Sequence, residues 1–335
     1  MAVAAVVVVS AARTPIGRYG GAFRNVHPAE LGAVATVAAL ARAHVEPSSV
    51  DEILMGHGRQ AGSGPNPARQ VGRRAGLPDS VHAQTINKAC ASGMQAIASA
   101  AQSILLGEND VVIAGGIESM SRMPYLIDSE DARWGHKMGN FTLIDAKGRA
   151  VIVEADEHPR PDTTVESLRK LPPVFGAVEG HPGIITAGTS SGITDGGAAV
   201  VLMSAARAKS LQLTPLARIV GWASAGVDPR IMGIGPVPAM RKLFARTGLT
   251  IADFDLFELN EAFAPQVLAV LADEPMPRDR LNVNGGAIAL GHPIGCTGTR
   301  IAVTLLHEMA RRDSKRGLAT LCVSGGMGMA MAFER

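Results

Sequence analysis

Cys90 is the first candidate for chemistry, because it stands at the predicted start of an Ala-rich helix, in the Asn-Lys-Ala-Cys-Ala-Ser-Gly segment of residues 87–93. The unpaired backbone N–H groups and the positive dipole end at a helix start stabilise a thiolate. The small neighbours Ala91 and Gly93 leave the thiol open to approach from one side. This position is equally compatible with a catalytic nucleophile and with a small buried cysteine that only packs in the core.

A histidine and a second cysteine occupy Gly-rich turns near the end of the chain. His292 lies between Gly291 and Pro293, where a neutral imidazole can take a thiol proton or donate to an oxyanion. Cys322 ends a predicted strand before a Gly-rich turn, where a thiol can act as acid or base beside exposed N–H groups. His292 could also simply cap its loop. Together, these thiols and the imidazole indicate a catalytic constellation.

Asn260 and Cys296 have weaker claims to a role in the site. Asn260 closes a predicted strand, where it could hold a water or, more commonly, cap the next helix. Cys296 follows His292 by four residues and is predicted to be structural. The odd number and wide spacing of the three cysteines argue against a disulfide framework and favour a reducing compartment. A cytoplasmic protein is therefore expected.

Composition and charge restrict the class of protein. A chain of 335 residues that is 47% hydrophobic and 19% charged is not disordered, and its length suits two domains or two halves of one α/β body. The net charge of +2 provides no basic field for nucleic acid, so no nucleic acid partner is expected. The apolar run at residues 2–9 is too short for a membrane span and predicts a buried first strand. No membrane association and no metal site are predicted.

Strand-like apolar runs alternate with Ala-rich helical segments, the pattern of parallel βαβ units. Residues 121–181 have little apolar periodicity and are predicted to be a loop-rich insertion between two similar α/β units. The predicted helices are 29–44, 92–106, 238–247, 261–271 and 298–312, and the predicted strands are 52–56, 110–114, 195–203, 216–223, 256–259 and two around Cys322.

Five segments, in family order, resemble the thiolases, the acetyl-CoA C-acyltransferase family. They are residues 87–93, 115–121, 260–263, 291–293 and Cys322, and the likeness runs from residues 13–17 to 332–334. The resemblance implies a thiolase-like five-layered αβαβα fold of two similar halves, with a shortened loop domain. The expected divisions are 1–120 and 191–212 for the N-terminal half, 121–190 for the loop domain and 213–335 for the C-terminal half.

The resemblance also implies the chemistry. Cys90 would carry the acyl group, and His292 would activate the Cys90 thiol. His292 and a water held by Asn260 would form an oxyanion hole. Cys322 would shuttle the α-carbon proton of the second substrate. The backbone N–H groups of Cys90 and Ser324 would form a second hole. The implied reaction interconverts two acetyl-CoA with acetoacetyl-CoA plus CoA. The alternatives are a 3-ketoacyl-CoA thiolase of longer-chain fatty acid β-oxidation and a catalytically degenerate CoA-binding or scaffold protein.

The implied substrates are acyl-CoA and CoA, with no permanently bound cofactor. In this resemblance Ser191 faces the pantetheine, Phe175, Met232 and Phe263 line its tunnel, and Arg160 and Ser167 meet the nucleotide end. Solvated loop residues would look the same in the sequence. The family pairs sheet edges into homodimers or homotetramers, so an oligomer is expected. The remaining matched positions for coenzyme A are Ala187 and Ala262.

Two features depart from the family pattern. A His-Met-Gly segment and the polar helix after it, roughly fifty to sixty residues, would fall between Asp145 and Ala146 but are missing, which is more than loop trimming. Their loss removes part of the cover that keeps water from the thioester, so reduced or broadened activity is expected. Ser324 replaces a usual glycine, and a positive φ there would strain the oxyanion hole.

Overall fold

The computed structural model describes residues 5–124, 153–177 and 180–335. The expected gap between Asp145 and Ala146, with much of the predicted loop domain 121–190, lies outside these residues. The strands are β1 (Val6–Arg13), β2 (Gly17–Arg18), β3 (Glu52–His57), β4 (His82–Ile86), β5 (Val111–Ser119), β6 (Thr194–Ser204), β7 (Ala217–Gly226), β8 (Leu256–Leu259), β9 (Arg316–Val323) and β10 (Met327–Glu334). The helices are α1 (Pro28–Ala43), α2 (Pro67–Arg74), α3 (Ser92–Leu106), α4 (Val165–Arg169), α5 (Ala205–Ser210), α6 (Pro236–Thr247), α7 (Ala264–Asp273), α8 (Ala287–Leu290) and α9 (Ile294–Arg312).

The strands divide into two half-sheets that meet at one short contact. The N-terminal half has the order β4-β3-β5-β6-β1, and the C-terminal half has the order β7-β10-β9-β8. The link is a two-residue antiparallel pairing of β1 with β7. Each half is mixed, because β3 pairs in parallel with β4 and β5 and β8 with β9, while β6 is antiparallel to β1 and β5 and β10 is antiparallel to β7 and β9. Buried parallel strands need helices on both faces, which sets the layering.

Helices cover both faces of each half-sheet. The apolar sides of α3 and α9 share a core with inward-facing residues of both halves, such as Val112 of β5 and Leu321 of β9. On the outer face of the N-terminal half, α1 and α2 pack on β3, β5 and β6. On the outer face of the C-terminal half, α6 and α7 pack on β8, β9 and β10. The layers follow in the order αβαβα, which confirms the expected fold class.

The two central helices approach each other closely at their first turns. A Cβ on Gly93 would lie 2.5 Å from the hydroxyl oxygen of Thr299, and a Cβ on Gly298 would lie 2.4 Å from the backbone nitrogen of Met94. Only glycine allows this approach, because each helix fills the space that a side chain of the other would need. The stretch Ala89–Leu106 is apolar and long enough to cross a membrane, but 67% of it is buried in this core. Its composition is that of a core helix.

Replacing Gly298 with alanine tests this contact. Helix propensity alone would favour alanine by about 1 kcal/mol. The clash with the Met94 backbone outweighs that gain, so Gly298→Ala is expected to lower the free energy of unfolding by about 1–3 kcal/mol, measured by urea denaturation. Gly176→Ala is the control, because nothing lies within 4 Å of its added Cβ. An unchanged urea midpoint for Gly298→Ala would contradict the close contact.

Candidate active site

The turn before α3 presents Cys90. Ala89 has a φ of 45°, in the left-handed region that a residue with a side chain rarely adopts. The Ser92 hydroxyl holds the turn, since it donates to Ala89 O at 2.6 Å and accepts from Lys88 N at 2.8 Å. Cys90 is 8% exposed. The strained turn and its bonds place the thiol at the edge of the inter-sheet core.

The loop before α9 brings His292 to this thiol. The Nε2 atom of His292 lies 3.2 Å from Sγ of Cys90. Its Nδ1 atom lies 2.6 Å from the hydroxyl oxygen of Thr297, and that hydroxyl donates to Pro293 O at 3.0 Å. We assign the imidazole proton to Nδ1, because the Thr297 hydroxyl, when it donates to Pro293 O, accepts from Nδ1. Nε2 is left with a lone pair that faces the Cys90 thiol.

Burial keeps both members of this pair neutral. Desolvation lowers the pKa of His292 to about 3, so the imidazole is a base at neutral pH. Desolvation also raises the pKa of the Cys90 thiol, and the backbone N–H groups of Ser324 and of Cys90 itself only reduce that rise. The expectation that the helix start shifts this thiol toward the thiolate is therefore wrong, because desolvation is the largest of the effects on its pKa. The thiol must lose its proton to His292 during reaction.

Cys322 and Ser324 complete the group. Cys322, at the end of β9, is 1% exposed, and burial together with the neighbouring Cys90 raises its pKa to about 12. The backbone N–H of Ser324 lowers the pKa of the Cys90 thiol, so it lies near Sγ and is placed to stabilise charge on the oxygen of a Cys90 acyl group. Positive φ angles of the turn fall on Gly325 (92°) and Gly326 (85°) instead of Ser324. The expected strain at Ser324 is therefore wrong.

Asn260 lies beside the same strand, with its backbone N–H bonded to Thr320 O at 3.0 Å. It is 1% exposed, and neither its Nδ2 nor its Oδ1 has a hydrogen-bond partner among the described residues. Buried amide atoms are normally satisfied, so these two are suited to a water or a substrate group. The adjacent Glu261 has a structural task, because it accepts bonds from Asn282 Nδ2 and Ile288 N. That task links the end of β8 to the loop that carries His292.

The predicted contacts for coenzyme A separate into two groups. Arg160, Ser167 and Ala187 line one cavity of about 500 Å³, together with His158 and residues 288–289 of the loop that leads to His292. The other five do not line this cavity. Ser191 donates its N–H to Ala262 O at 3.0 Å and Phe263 pairs with Ser190, while Phe175 is 55% exposed and Met232 lies in the 3-10 helix Pro229–Ile234.

Sequence reasoning missed Thr297 and gave no role to Glu118, which lies inside a quoted segment. Thr297 stands five residues after His292, in the first turn of α9. A hydroxyl at that spacing after a Gly-flanked histidine is a signal that the sequence offered. Cys296, predicted to be structural, is 1% exposed and burial raises its pKa to about 12.

Family comparisons cover both halves. The sequence model "Thiolase, N-terminal domain" matches residues 6–146 and 141–206, and "Thiolase, C-terminal domain" matches residues 213–335. The acetyl-CoA acetyltransferase of Cupriavidus necator is 43% identical over 395 residues, covering 98% of this chain and 99% of its own. That of Pseudomonas aeruginosa is 42% identical, with the same coverage of both chains.

Solved structures agree with this likeness. The Bacillus anthracis acetyl-CoA acetyltransferase superposes with a TM-score of 0.92 at 40% identity, covering 99% of both chains. Human mitochondrial 3-ketoacyl-CoA thiolase in complex with CoA gives 0.91 at 37% identity, covering 99% of this chain and 98% of that one. The sequence alignments run over more residues than the 335 of this chain, and the two N-terminal matches meet at 141–146, where the gap is expected.

Replacing Thr297 with valine tests how His292 is oriented. The Nδ1 proton would lose its acceptor in a buried site, at a cost of about 1–3 kcal/mol. Thr297→Val is therefore expected to slow iodoacetamide alkylation of Cys90 at neutral pH roughly tenfold or more. Thr297→Ser should restore the rate. Thr304→Val is the control, because Thr304 makes the same type of bond in α9, to Arg300 O. Equal rates for the two valine variants would refute the assignment.

Proposed function

The chain belongs to the thiolase family, and we propose that it interconverts two acetyl-CoA with acetoacetyl-CoA and CoA through an acetyl thioester on Cys90. The observation that carries this proposal is the 3.2 Å contact between the Cys90 thiol and the unprotonated Nε2 of His292. The thiol of Cys322 and the N–H of Ser324 lie beside it. Nucleophile, base, acid and oxyanion donor are thus within one buried site.

The thiolysis direction begins from the neutral groups that the structure contains. The Cys90 thiol passes its proton to Nε2 of His292, and its sulfur attacks the C3 carbonyl of acetoacetyl-CoA. The C3 oxygen takes negative charge beside the N–H groups of Cys90 and Ser324. As the carbonyl reforms, the C2–C3 bond breaks and its electron pair passes to the enolate of acetyl-CoA. The Cys322 thiol protonates C2, which completes the first acetyl-CoA.

The second half-reaction returns every group to its starting state. The Cys322 thiolate takes the thiol proton of free CoA, whose sulfur attacks the acetyl group on Cys90. The bond between acetyl and Cys90 breaks, and the Cys90 sulfur recovers the proton held by His292. The pKa of about 12 for Cys322 suits this direction, because the residue starts as an acid. The pKa of about 3 for His292 makes its imidazolium a ready proton donor.

We propose acetyl as the transferred acyl group because of the activities named for the similar proteins. The two curated relatives described above, 42–43% identical to this chain, are both named acetyl-CoA acetyltransferase. Solved structures of both kinds match the chain, at 40% identity for an acetyl-CoA acetyltransferase and 37% for the human 3-ketoacyl-CoA thiolase. The longer-chain reaction is therefore the second candidate. Coenzyme A is the carrier in both cases, and we place its nucleotide end in the cavity of Arg160 and Ser167. The reaction proposed above uses no permanently bound cofactor, because every proton and electron pair in it is held by the chain or the substrates.

Intact-protein mass spectrometry after brief incubation with acetoacetyl-CoA tests the function. The wild type is expected to gain one acetyl group, because Cys90 retains the thioester until CoA removes it. Cys90→Ala should gain none, and addition of CoA should clear the wild-type adduct. Cys296→Ala is the control, because that thiol is buried and the two ring nitrogens of His292 contact Thr297 and Cys90 instead of it. A wild type that binds CoA without any adduct would instead indicate the degenerate binder.

The free edge of the N-terminal half-sheet supports an oligomer. Strand β4 pairs only with β3 among the described strands, and the side chain of His82 on it is 63% exposed. An unpaired edge strand favours pairing with another chain, and a two-fold axis makes that pairing antiparallel. We therefore propose a homodimer through β4. The three cysteines are free thiols, which supports the cytoplasm as the compartment.

Light scattering on the purified protein tests the dimer. The expected mass is twice the 34.7 kDa of one chain, or four times that mass if dimers pair further. Replacing Gln84, an exposed residue of β4, with lysine should shift the mass toward the monomer, because a charge on an edge strand opposes pairing with another strand. A monomeric wild type at micromolar concentration would contradict the proposal.

A further inference from the structure

Glu118 has a fully buried carboxylate that the reaction itself does not use. It lies near the end of β5 and is 0% exposed. Its Oε2 accepts from Gly58 N at 3.1 Å and from Gly295 N at 2.8 Å. Its Oε1 accepts from Arg59 N at 3.2 Å and lies 3.1 Å from Nε2 of His57. Four donors converge on one side chain, and only a carboxylate can accept from all of them.

One of these bonds leads to the histidine loop. Gly295 is three residues after His292, in the first turn of α9. Its N–H points at Glu118, and the negative charge at a helix N-terminus is favourable. The position of α9 relative to β5 is therefore fixed at the turn that follows the imidazole.

The other bonds lead to the cysteine loop. Glu118 holds the turn of residues 57–59, and the Gly58 carbonyl accepts from Asn87 Nδ2 at 3.0 Å. The Oδ1 of Asn87 accepts from Ala89 N at 3.0 Å, one residue before Cys90. A single carboxylate thus connects to both loops, through Gly295 on one side and through Gly58 and Asn87 on the other.

Closely packed backbone segments around Glu118 restrict its carboxylate to a single position. A Cβ on Gly116 would lie 2.4 Å from Gly295 O, and a Cβ on Gly295 would lie 2.5 Å from Gly58 N. A Cβ on Gly58 would lie 2.8 Å from the Glu118 carboxylate itself. Three backbone segments therefore touch around this side chain, and small movements of it are transmitted to them directly.

We propose that Glu118 is the positioning residue that sets the separation of the Cys90 thiol and the His292 imidazole. The proposal rests on the proposed function for its kinetic consequence only. Loss of the carboxylate would let the turn of residues 57–59 and the first turn of α9 move independently. A reacting pair displaced by as little as about 1 Å loses roughly a hundredfold in rate.

Glu118 also acts on Cys90 through its charge, which gives a readout independent of turnover. Its negative charge adds to the rise in the pKa of the Cys90 thiol. Removing the charge lowers that pKa, so alkylation of Cys90 should begin at lower pH. A neutral replacement is therefore expected to make the thiol more acidic while it makes the enzyme slower. Hydration of a loosened site would also lower this pKa, because desolvation is its largest cause, so Glu118→Asp, which keeps the charge, separates the effect of the charge from that of loosening.

The test compares Glu118→Gln with the wild type in acetoacetyl-CoA thiolysis and in the pH profile of iodoacetamide alkylation of Cys90. We expect kcat to fall about a hundredfold with KM nearly unchanged, and the alkylation profile to shift to lower pH. Glu118→Asp keeps the charge but shortens the reach. It should lose kcat and keep the wild-type alkylation profile.

Glu52→Gln is the matched control, because Glu52 is also a buried carboxylate paired with a histidine, His82 at 3.4 Å, at the opposite end of β3. We expect Glu52→Gln to leave both kcat and the pH profile of Cys90 alkylation unchanged. Wild-type kcat in Glu118→Gln, an unmoved profile, or equal losses in Glu52→Gln would each overturn the proposal.

Two further outcomes are distinguishable. If Glu118→Gln does not fold, Asn87→Ala cuts only the branch to the cysteine loop, and it should lower kcat without moving the alkylation profile; wild-type kcat there would overturn the proposal. If the wild type is alkylated at Cys90 but never turns over acetoacetyl-CoA, the proposed function fails. The Glu118 proposal is then decided by the profiles of Glu118→Gln and Glu52→Gln.

Discussion

The close approach of α3 and α9 is the constraint on which the rest of the molecule depends. Cys90 precedes α3 by two residues and His292 precedes α9 by two, so the place where these helix starts meet is the place where thiol meets imidazole. Gly93 and Gly298 allow the meeting, since each occupies space that a Cβ would deny. Both half-sheets then close over the helices, and the hydrophobic burial that stabilises the fold also removes the reacting pair from water.

This burial decides the electrostatics of the site. A helix start favours a thiolate, but removal of solvent favours the neutral thiol, and the net result for Cys90 is a raised pKa with desolvation as its largest cause. The same removal lowers the pKa of His292. The resting pair is therefore neutral, and charge forms only as a substrate carbonyl arrives to share it with fixed N–H donors. Such an arrangement stabilises the transition state more than the ground state, as catalysis requires.

The sequence predicted well wherever one periodic pattern decided the outcome. Residues 92–106 were predicted as a helix and form α3 with the same bounds, because the apolar spacing runs along its whole length. Strand β4 was missed, since an edge strand with one partner needs no apolar run. Helix α7 begins at Ala264 and not at 261, because Glu261 is bonded to Asn282 and Ile288 and is held outside the helix. The bonds of Thr297 and Glu118 join residues that are distant in sequence or lack a motif, so only three-dimensional proximity reveals them.

The residues that the relatives contain and this chain lacks are expected to affect how the substrate is enclosed more than how the reacting groups are arranged. Every contact among Cys90, His292, Thr297, Cys322 and Ser324 is made within the two halves. Residues 153–177 contribute to the cavity that we propose for the nucleotide end of coenzyme A, where His158 Nδ1 bonds Ala289 O at 2.9 Å near the histidine loop. Residues that cover the acyl group protect the thioester from water. The arrangement of the catalytic side chains determines how readily the thioester bond forms and breaks. We therefore expect a thiolase with an altered loop domain to keep the means of acyl transfer and to enclose the acyl-CoA less tightly while transfer occurs.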